Sequence, residues 1–256
     1  RKVAAVLTAE TLFFALLLLW ATLRTFRPEA FGTEKFMDYG LMKSLMRSDF
    51  MPPQDFWFAG EPLNYYYLGQ FFAAFLTRLS GVSAGYGYNL MMATLAALGF
   101  CLMYTLGYNL ARSFLTERGA RFEMTDKRPL WFPAVCGTLG GSAVCFGGNL
   151  HYLFFRFLEP LIARLGGREP AGYYFPDSTR FIGYNPETAD KTIHEFPSYS
   201  YVLGDLHAHV LGLIMVLTLL GVLFAWLLSR RGRMNAVRAG REVGTPTWWR
   251  EALRPE

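Results

Sequence analysis

Cysteine, histidine and evenly spread charge are all scarce in this chain. Its three cysteines, Cys101, Cys136 and Cys145, lie inside apolar stretches, so they read as packing residues and not as a disulfide framework. No phosphate-cradling glycine loop, nucleophile elbow or zinc-helix motif occurs. The net charge of +5 does not build the basic face of a nucleic-acid-binding fold. Its basic residues gather in the 112–128 region and after Ser229, a pattern of membrane topology, and no nucleic-acid partner is expected. The chain opens at Arg1 without a signal-peptide pattern, so a segment of something longer is expected.

What is abundant is apolar surface, with 52% hydrophobic and 17% aromatic residues. Four stretches carry little or no charge: Val3–Leu23, Tyr86–Ala111, Trp131–Phe155 and Tyr201–Ser229. Each reaches the roughly 20 residues that cross a hydrocarbon core of about 30 Å. Soluble helices are seldom so apolar all round. The expected fold is all-α, a polytopic membrane helix bundle of about four transmembrane helices, with residues 1–229 as the membrane domain. Residues 230–256 are expected to form a basic cytoplasmic tail or linker. Gly137-Thr138-Leu139-Gly140-Gly141 and Gly147-Gly148 read as sites of close helix approach.

Charge fixes the expected topology. Arg230-Arg231-Gly232-Arg233 directly follows an apolar span, which puts the tail in the cytoplasm. Counting back, the loop 159–199 is extracytoplasmic, and the loop bearing Arg112, Arg118, Arg121, Lys127 and Arg128 is cytoplasmic. The segment from Pro62 to Leu79 carries Asn64, three tyrosines, Gln70 and Arg78, which leaves too short an apolar core to cross. It reads as an interfacial or re-entrant helix, about 63–79, as does 34–47 before it. Loops 24–85 and 159–199 then share the outer face, and Arg1-Lys2 lies in the cytoplasm.

The polar residues of those loops carry the chemistry. Three of the four histidines and two carboxylates fall in the sixteen residues His194–His209, immediately before a long apolar run. Ionisable groups at the mouth of a membrane helix are costly and usually functional. Asp205 and His209 share a face if the segment is helical, and Asp205, His207 and His209 line one side if it is extended. With Glu195 nearby, the Asp and His set suits a divalent cation, Asp205, His207 and His209 being its ligands. It suits equally well the positioning or protonation of a phosphate oxygen, or a structural Asp–His pair. In the first loop, Thr33 is the expected helix N-cap, which makes Glu34 and Asp38 i,i+4 neighbours. They read either as a solvated face or as part of a built site within the aromatic, proline-fixed loop around Gly60–Tyr67. Arg180 suits a phosphate through its planar fork, or a salt bridge to Asp177 or Glu187. His151 reads as an interfacial anchor, and Glu10 as a partner for a polar group across the bundle or a side chain near water.

The runs Gly32-Thr33-Glu34-Lys35…Asp38, Gly60-Glu61-Pro62-Leu63-Asn64-Tyr65-Tyr66-Tyr67-Leu68-Gly69, Asp177-Ser178-Thr179-Arg180 and Glu195-Phe196-Pro197…Asp205-Leu206-His207-Ala208-His209 carry a resemblance. The chain resembles the uncharacterised "YYY" membrane proteins of Chloroflexus relatives and archaea, over nearly its whole length to Ser229. Phe36, Leu63 and Ala208 depart from the residues usual there. Its layout is also distantly similar to type C glycosyltransferases, among them the protein O-mannosyltransferases and aminoarabinose transferases. That resemblance implies sugar transfer from a polyprenyl-phosphate donor at the outer membrane face. It implies Glu34, seconded by Asp38, as general base. Lys35, Tyr65, Tyr66, Tyr67, Arg180, His194, Glu195, His207 and His209 would then be the substrate-binding residues, with Asp205 orienting a histidine or holding a divalent cation. Partners implied are membrane lipid, the lipid-linked donor and further membrane subunits. Two other classes stay open: a non-enzymatic subunit that docks a partner through its outer loops, and a metal-dependent membrane hydrolase.

Overall fold

The computed structural model describes residues 2–121, 131–184 and 186–240. Arg1, Lys127, Arg128 and the tail from 241 lie outside the described residues, and the topological expectations that rest on them go no further here. In chain order the elements are α1 (Lys2–Thr25), α2 (Lys35–Arg47), α3 (Leu68–Ser80), α4 (Ala84–Arg121) and α5 (Trp131–Cys145). After them come α6 (His151–Leu153), a π-helical turn (Phe154–Leu158), α7 (Glu159–Leu165), a 3₁₀ turn (Phe175–Thr179), α8 (Pro197–Leu203) and α9 (Ala208–Arg238). Among the described residues no strand forms; the pairs Gln54–Pro62 and Tyr184–Glu187 are isolated bridges. This is an all-α membrane helix bundle.

Among the described residues, three helices are long and apolar enough to cross a membrane: Val6–Thr25, Ala84–Thr116 and Ala208–Arg238. The fourth expected span is the shorter apolar helix α5, whose 15 residues extend ~22 Å at the usual rise. The expected span 131–155 is cut because α5 stops at Cys145. The chain then turns through Gly147, where a Cβ would strike the Ala143 carbonyl oxygen at 2.1 Å, and Gly148, whose Cβ position abuts the Phe196 ring at 2.8 Å. The expected span 201–229 is also displaced. Gly204 adopts φ +75° and ends α8, so the crossing helix starts at Ala208 and runs on to Arg238. The first two spans are slightly longer than expected, at 2–25 and 84–121.

α4 is the hub. It packs antiparallel to α1, with Cys101 Sγ donating to the Ala9 carbonyl (3.8 Å), and antiparallel to α5, with Cys145 Sγ donating to the Ala96 carbonyl (3.3 Å). The cysteines are therefore unpaired packing residues, as their apolar context implies. Glycines bring α5 close to α4: a Cβ on Gly137 would lie 2.7 Å from the Tyr104 carbonyl oxygen, and one on Gly141 3.0 Å from that of Phe100. Without a hydrophobic force between helices in lipid, such close backbone contact is what holds them together.

α2 and α3 lie across one end of the bundle. Leu41, Met42 and Leu45 of α2 are buried with Ala73 and Ala74 of α3. In α3 the buried face is Gln70, Ala73, Ala74 and Thr77, at helical spacing, while Leu68, Phe72, Phe75, Leu76 and Leu79 point outward. That is an inside-out helix, polar toward protein and apolar toward its surroundings, the form an interfacial helix takes at a bilayer. It begins at Leu68, so Tyr65–Tyr67 precede the helix instead of opening it. Thr33 is not the cap of α2: Glu34 is, without a side-chain cap bond, and Thr33 holds φ +51°.

The α4–α5 contact separates two glycine substitutions. Gly137→Ala meets a backbone oxygen and should cost about 1–3 kcal/mol as overpacking does. Gly140→Ala meets the end of the flexible Met103 side chain at 3.3 Å and should be tolerated. Thermal unfolding of the detergent-solubilised variants checks this; equal losses would refute the packing assignment.

Candidate functional site

Between α8 and α9 the backbone of Gly204–His207 is non-helical yet largely buried. Its polar groups need partners inside the protein. Tyr88, on α4, supplies two: its hydroxyl donates to the Gly204 carbonyl and accepts from the Leu206 N–H, both at 3.2 Å. Gln70 Nε2 donates to the Leu206 carbonyl at 3.4 Å. The last carbonyl of α8, Leu203, accepts from Arg24 Nη1 (3.4 Å) and Lys35 Nζ (3.2 Å), two cations at the negative end of a helix. Arg24 is itself held by Asn89, whose Oδ1 accepts from Nε at 2.9 Å. Its guanidinium lies so close over Gly204 that a Cβ there would meet Nη1 at 2.3 Å. Glycine is required at 204 for space as well as for φ.

This anchored break aims three side chains into a polar cluster built from both loops. Asp205 turns inward and is buried beside Asp38 of α2, which accepts from Gln70 Nε2 at 2.7 Å. His207, the N-cap of α9, turns outward. Its Nδ1 lies 2.6 Å from Glu195 Oε2, and its Nε2 lies 3.2 Å from the Tyr66 hydroxyl and 3.5 Å from Glu34 Oε2. His209, in the first turn of α9, points Nδ1 at the same Glu195 Oε2 (3.6 Å), and its Nε2 lies 3.2 Å from Ser200 Oγ. The two loops therefore meet at one end of the bundle.

The electrostatics divide the cluster into layers. Burial, with the Asp205 charge adding to it and the Gln70 hydrogen bond opposing it, pushes the Asp38 carboxyl up to about 8. Burial also raises Asp205, with Glu195 adding. Outside this pair, the hydrogen bond that His207 donates to Glu195 outweighs burial and lifts His207 to about 9. Glu195 is pushed up by burial, but the bond and charge of His207 hold it below the usual carboxylate range. The inner carboxyls are thus both pushed toward the neutral acid and the outer layer is an ion pair, the arrangement that limits the burial of unpaired charge.

The residues singled out in the sequence are distributed unevenly. Glu34, Asp38, Tyr66, Glu195, Asp205, His207 and His209 come together, and Lys35 joins through Leu203. Tyr65 stacks on Tyr66, with ring centroids 4.1 Å apart, and remains half exposed. Tyr67 packs against the core instead. His194 pairs its Nε2 with the Thr192 hydroxyl (3.4 Å), and Arg180 lies beside Tyr199 with one guanidinium nitrogen buried and unpartnered. Arg180 makes no salt bridge to Asp177 or Glu187, and Glu187 pairs with Lys191 at 2.8 Å. Glu34 and Asp38 do not share an exposed face: Asp38 is fully buried and Glu34 is about half exposed. For a metal, the grouping differs from the expected one. The ligand atoms of Glu195, His207 and His209 lie within 4.8 Å of one another, with Glu195 in the place foreseen for Asp205. His151 lies apart from the cluster, its ring tilted against those of Phe155 and Tyr173 at 4.4 and 5.9 Å between centroids. An open cleft of about 650 Å³ between α2 and the 48–56 loop, lined by Lys43, Arg47, Asp49 and Asp55, shares no residue with the cluster.

Sequence reasoning passed over Arg24, Gln70, Tyr88 and Ser200. Arg24 reads as an ordinary charge at a span's end, and Gln70 as a blemish in an apolar helix. A buried glutamine at the centre of an inside-out helical face is the signal that marks it in retrospect.

The inner pair has a pH signature. A carboxyl whose folded pKa is raised keeps its proton where the unfolded chain has lost it. Its stability contribution is therefore full at acid pH and falls as pH rises from about 4 to about 8. The slope is about 1.4 kcal/mol per pH unit for one such proton. Asp38→Asn removes that proton, so its thermal midpoint between pH 5 and pH 8 should fall less than that of the unsubstituted protein. Parallel slopes would show that Asp38 is ionised in the folded state.

No curated protein and no solved structure matches the chain. A family model does, over residues 1–246, the first transmembrane helix and all of the cluster included. The chain belongs to the uncharacterized membrane protein family DUF2298.

Proposed function

We propose that this protein is a membrane glycosyltransferase that moves a sugar from a polyprenyl-phosphate-linked donor to an acceptor hydroxyl at the extracytoplasmic face. One observation carries the reading: Glu34 and Tyr66 of the first loop converge on the Glu195–His207 pair of the second. An exposed carboxylate, aromatic faces and imidazole nitrogens thus share one partly exposed surface beside α3.

The roles follow from exposure. Glu34, half exposed at the rim, is the group that accepts the proton of the acceptor hydroxyl as its oxygen bonds to the anomeric carbon. The bond from that carbon to the phosphate oxygen breaks, and polyprenyl phosphate departs with the electron pair. Tyr65 and Tyr66 offer ring faces to the sugar, and the Tyr66 hydroxyl a hydrogen bond. His207, 3.5 Å from Glu34, and the partly exposed Lys35 are the cations offered to the phosphate. The outward apolar face of α3, through Leu68, Phe72 and Phe75, gives the polyprenyl chain a surface to lie along. Asp38 and Asp205 do not touch substrate in this reading; they and Gln70 position the break. Arg180 and His194 have no part in the reaction.

Purified protein in lipid nanodiscs, supplied with a panel of polyprenyl-phosphate sugars, should release polyprenyl phosphate. Glu34→Gln should lower kcat by about 10²–10⁴ at unchanged thermal stability, and Tyr65→Ala should raise KM more than it lowers kcat. A fully active Glu34→Gln protein would remove Glu34 as base. Absence of release from every donor would remove the transferase reading.

A further inference from the structure

We propose that Glu195, His207 and His209 form a binding site for one divalent transition-metal ion. A simple histidine–carboxylate ion pair explains the contact between His207 and Glu195. It does not explain why a second imidazole turns its Nδ1 on the same carboxylate oxygen. His207 Nδ1 and His209 Nδ1 lie 2.6 and 3.6 Å from Glu195 Oε2, and all three ligand atoms lie within 4.8 Å of one another. Ligands held about 2.0–2.2 Å from a zinc-like ion sit some 3.2–3.6 Å apart around a tetrahedron. The His209 contact already has that spacing, and the His207 contact reaches it by opening less than about 1 Å.

The far nitrogens of both rings are occupied, as a ligating histidine requires. A metal-bound imidazole donates its other N–H to a carboxylate, carbonyl or hydroxyl, which fixes the tautomer and leaves the lone pair on the inner nitrogen. His207 Nε2 faces the Tyr66 hydroxyl (3.2 Å) and Glu34 Oε2 (3.5 Å), and His209 Nε2 faces Ser200 Oγ (3.2 Å). Both rings are thus oriented from outside, and both Nδ1 atoms converge inside on Glu195, where an incoming ion would take the place of the His207 Nδ1 proton.

A second observation comes from Asp205. It is 1% exposed, and neither carboxylate oxygen has a hydrogen-bond partner. At the rim, Glu34 and Glu195 both face the one imidazole of His207, a surplus of carboxylate that a dication offsets. Two imidazole nitrogens and one carboxylate oxygen suit zinc, manganese or iron(II) and not calcium or magnesium, which prefer all-oxygen shells. Three protein ligands leave a position open to water or to an oxygen of a bound substrate. The site is half-buried at the rim, so an ion has access to it.

The test needs no sugar donor, so it stands or falls apart from the transferase reading. The full chain, purified in detergent through a tag that contains no histidine and stripped with chelator, is titrated with zinc and with cobalt(II). Expected are one ion per chain and the visible d–d bands of a four- or five-coordinate cobalt site. Glu195→Gln, His207→Gln and His209→Gln should each abolish tight binding, and Ser200→Ala should weaken it by about tenfold. The double variant His151→Ala/His194→Ala should bind normally. Absence of saturable binding, full affinity in the ligand variants, or loss of binding in the double variant would each overturn the assignment. Should the ligand variants not fold, pulsed EPR of the copper-loaded unsubstituted protein decides: two coordinated imidazoles are expected, and fewer than two would overturn it.

Discussion

A four-residue stretch of irregular backbone, Gly204–His207, is buried against three helices, and its hydrogen-bonding groups can be satisfied only by protein. The rest of the site answers that constraint. Tyr88 serves one donor and one acceptor, Gln70 serves Leu206, and Arg24 with Lys35 serves Leu203. Each partner comes from a different helix: α4, α3, α1 and α2. The break therefore ties the bundle to the interfacial layer, and it does so with the residues that flank the chemistry. Asp205 is buried, while His207, two positions further on, is the partly exposed N-cap of α9.

The same geometry grades the electrostatics from inside to outside. Asp38 and Asp205, nearly inaccessible, carry raised pKa values, while Glu195 and His207 at partial exposure form a charged pair. Burying two carboxylates as ions would cost several kcal/mol each after relaxation. Raised pKa values lessen that cost, and Gln70 supplies Asp38 with a side-chain hydrogen bond. At the rim the charges are those of Glu34, Glu195 and His207.

The bundle was legible from the apolar runs, since length and lack of charge dominate any helix in lipid. Its interruptions were not. Cys145–Leu150 carries Gly147, Gly148 and Asn149, and Gly204–His207 carries Asp205 and His207; glycine and single polar groups are also found within membrane helices, so composition alone does not separate a close-packed helix from a break. The convergence of residues near Glu34 with those near His207 was legible from counting crossings, which put both loops at one end. The count of long spans is three, with α5 shorter, yet α5 still returns the chain to that end. Membership of each residue in the site depended on facing, which the sequence sets only through helical phase. Glu34 and Asp38 are one turn apart in the sequence, and that spacing does not show that Asp38 turns inward to Gln70 while Glu34, the N-cap of α2, stays exposed.

The spacing of these contacts along the chain orders their formation in time. Membrane proteins emerge and insert from the N-terminus. The Asp38–Gln70 bond closes over 32 positions and can form while synthesis is under way. Lys35 and the carbonyl it caps are 168 positions apart, and Arg24 and the same carbonyl are 179 apart. Until α8 is made, both cations sit at the bilayer edge with no backbone to cap, free to engage lipid headgroups. The docking of α8 and α9 then exchanges lipid for protein at those two side chains. The site is consequently a late product of biogenesis, complete only when α9 has entered the membrane.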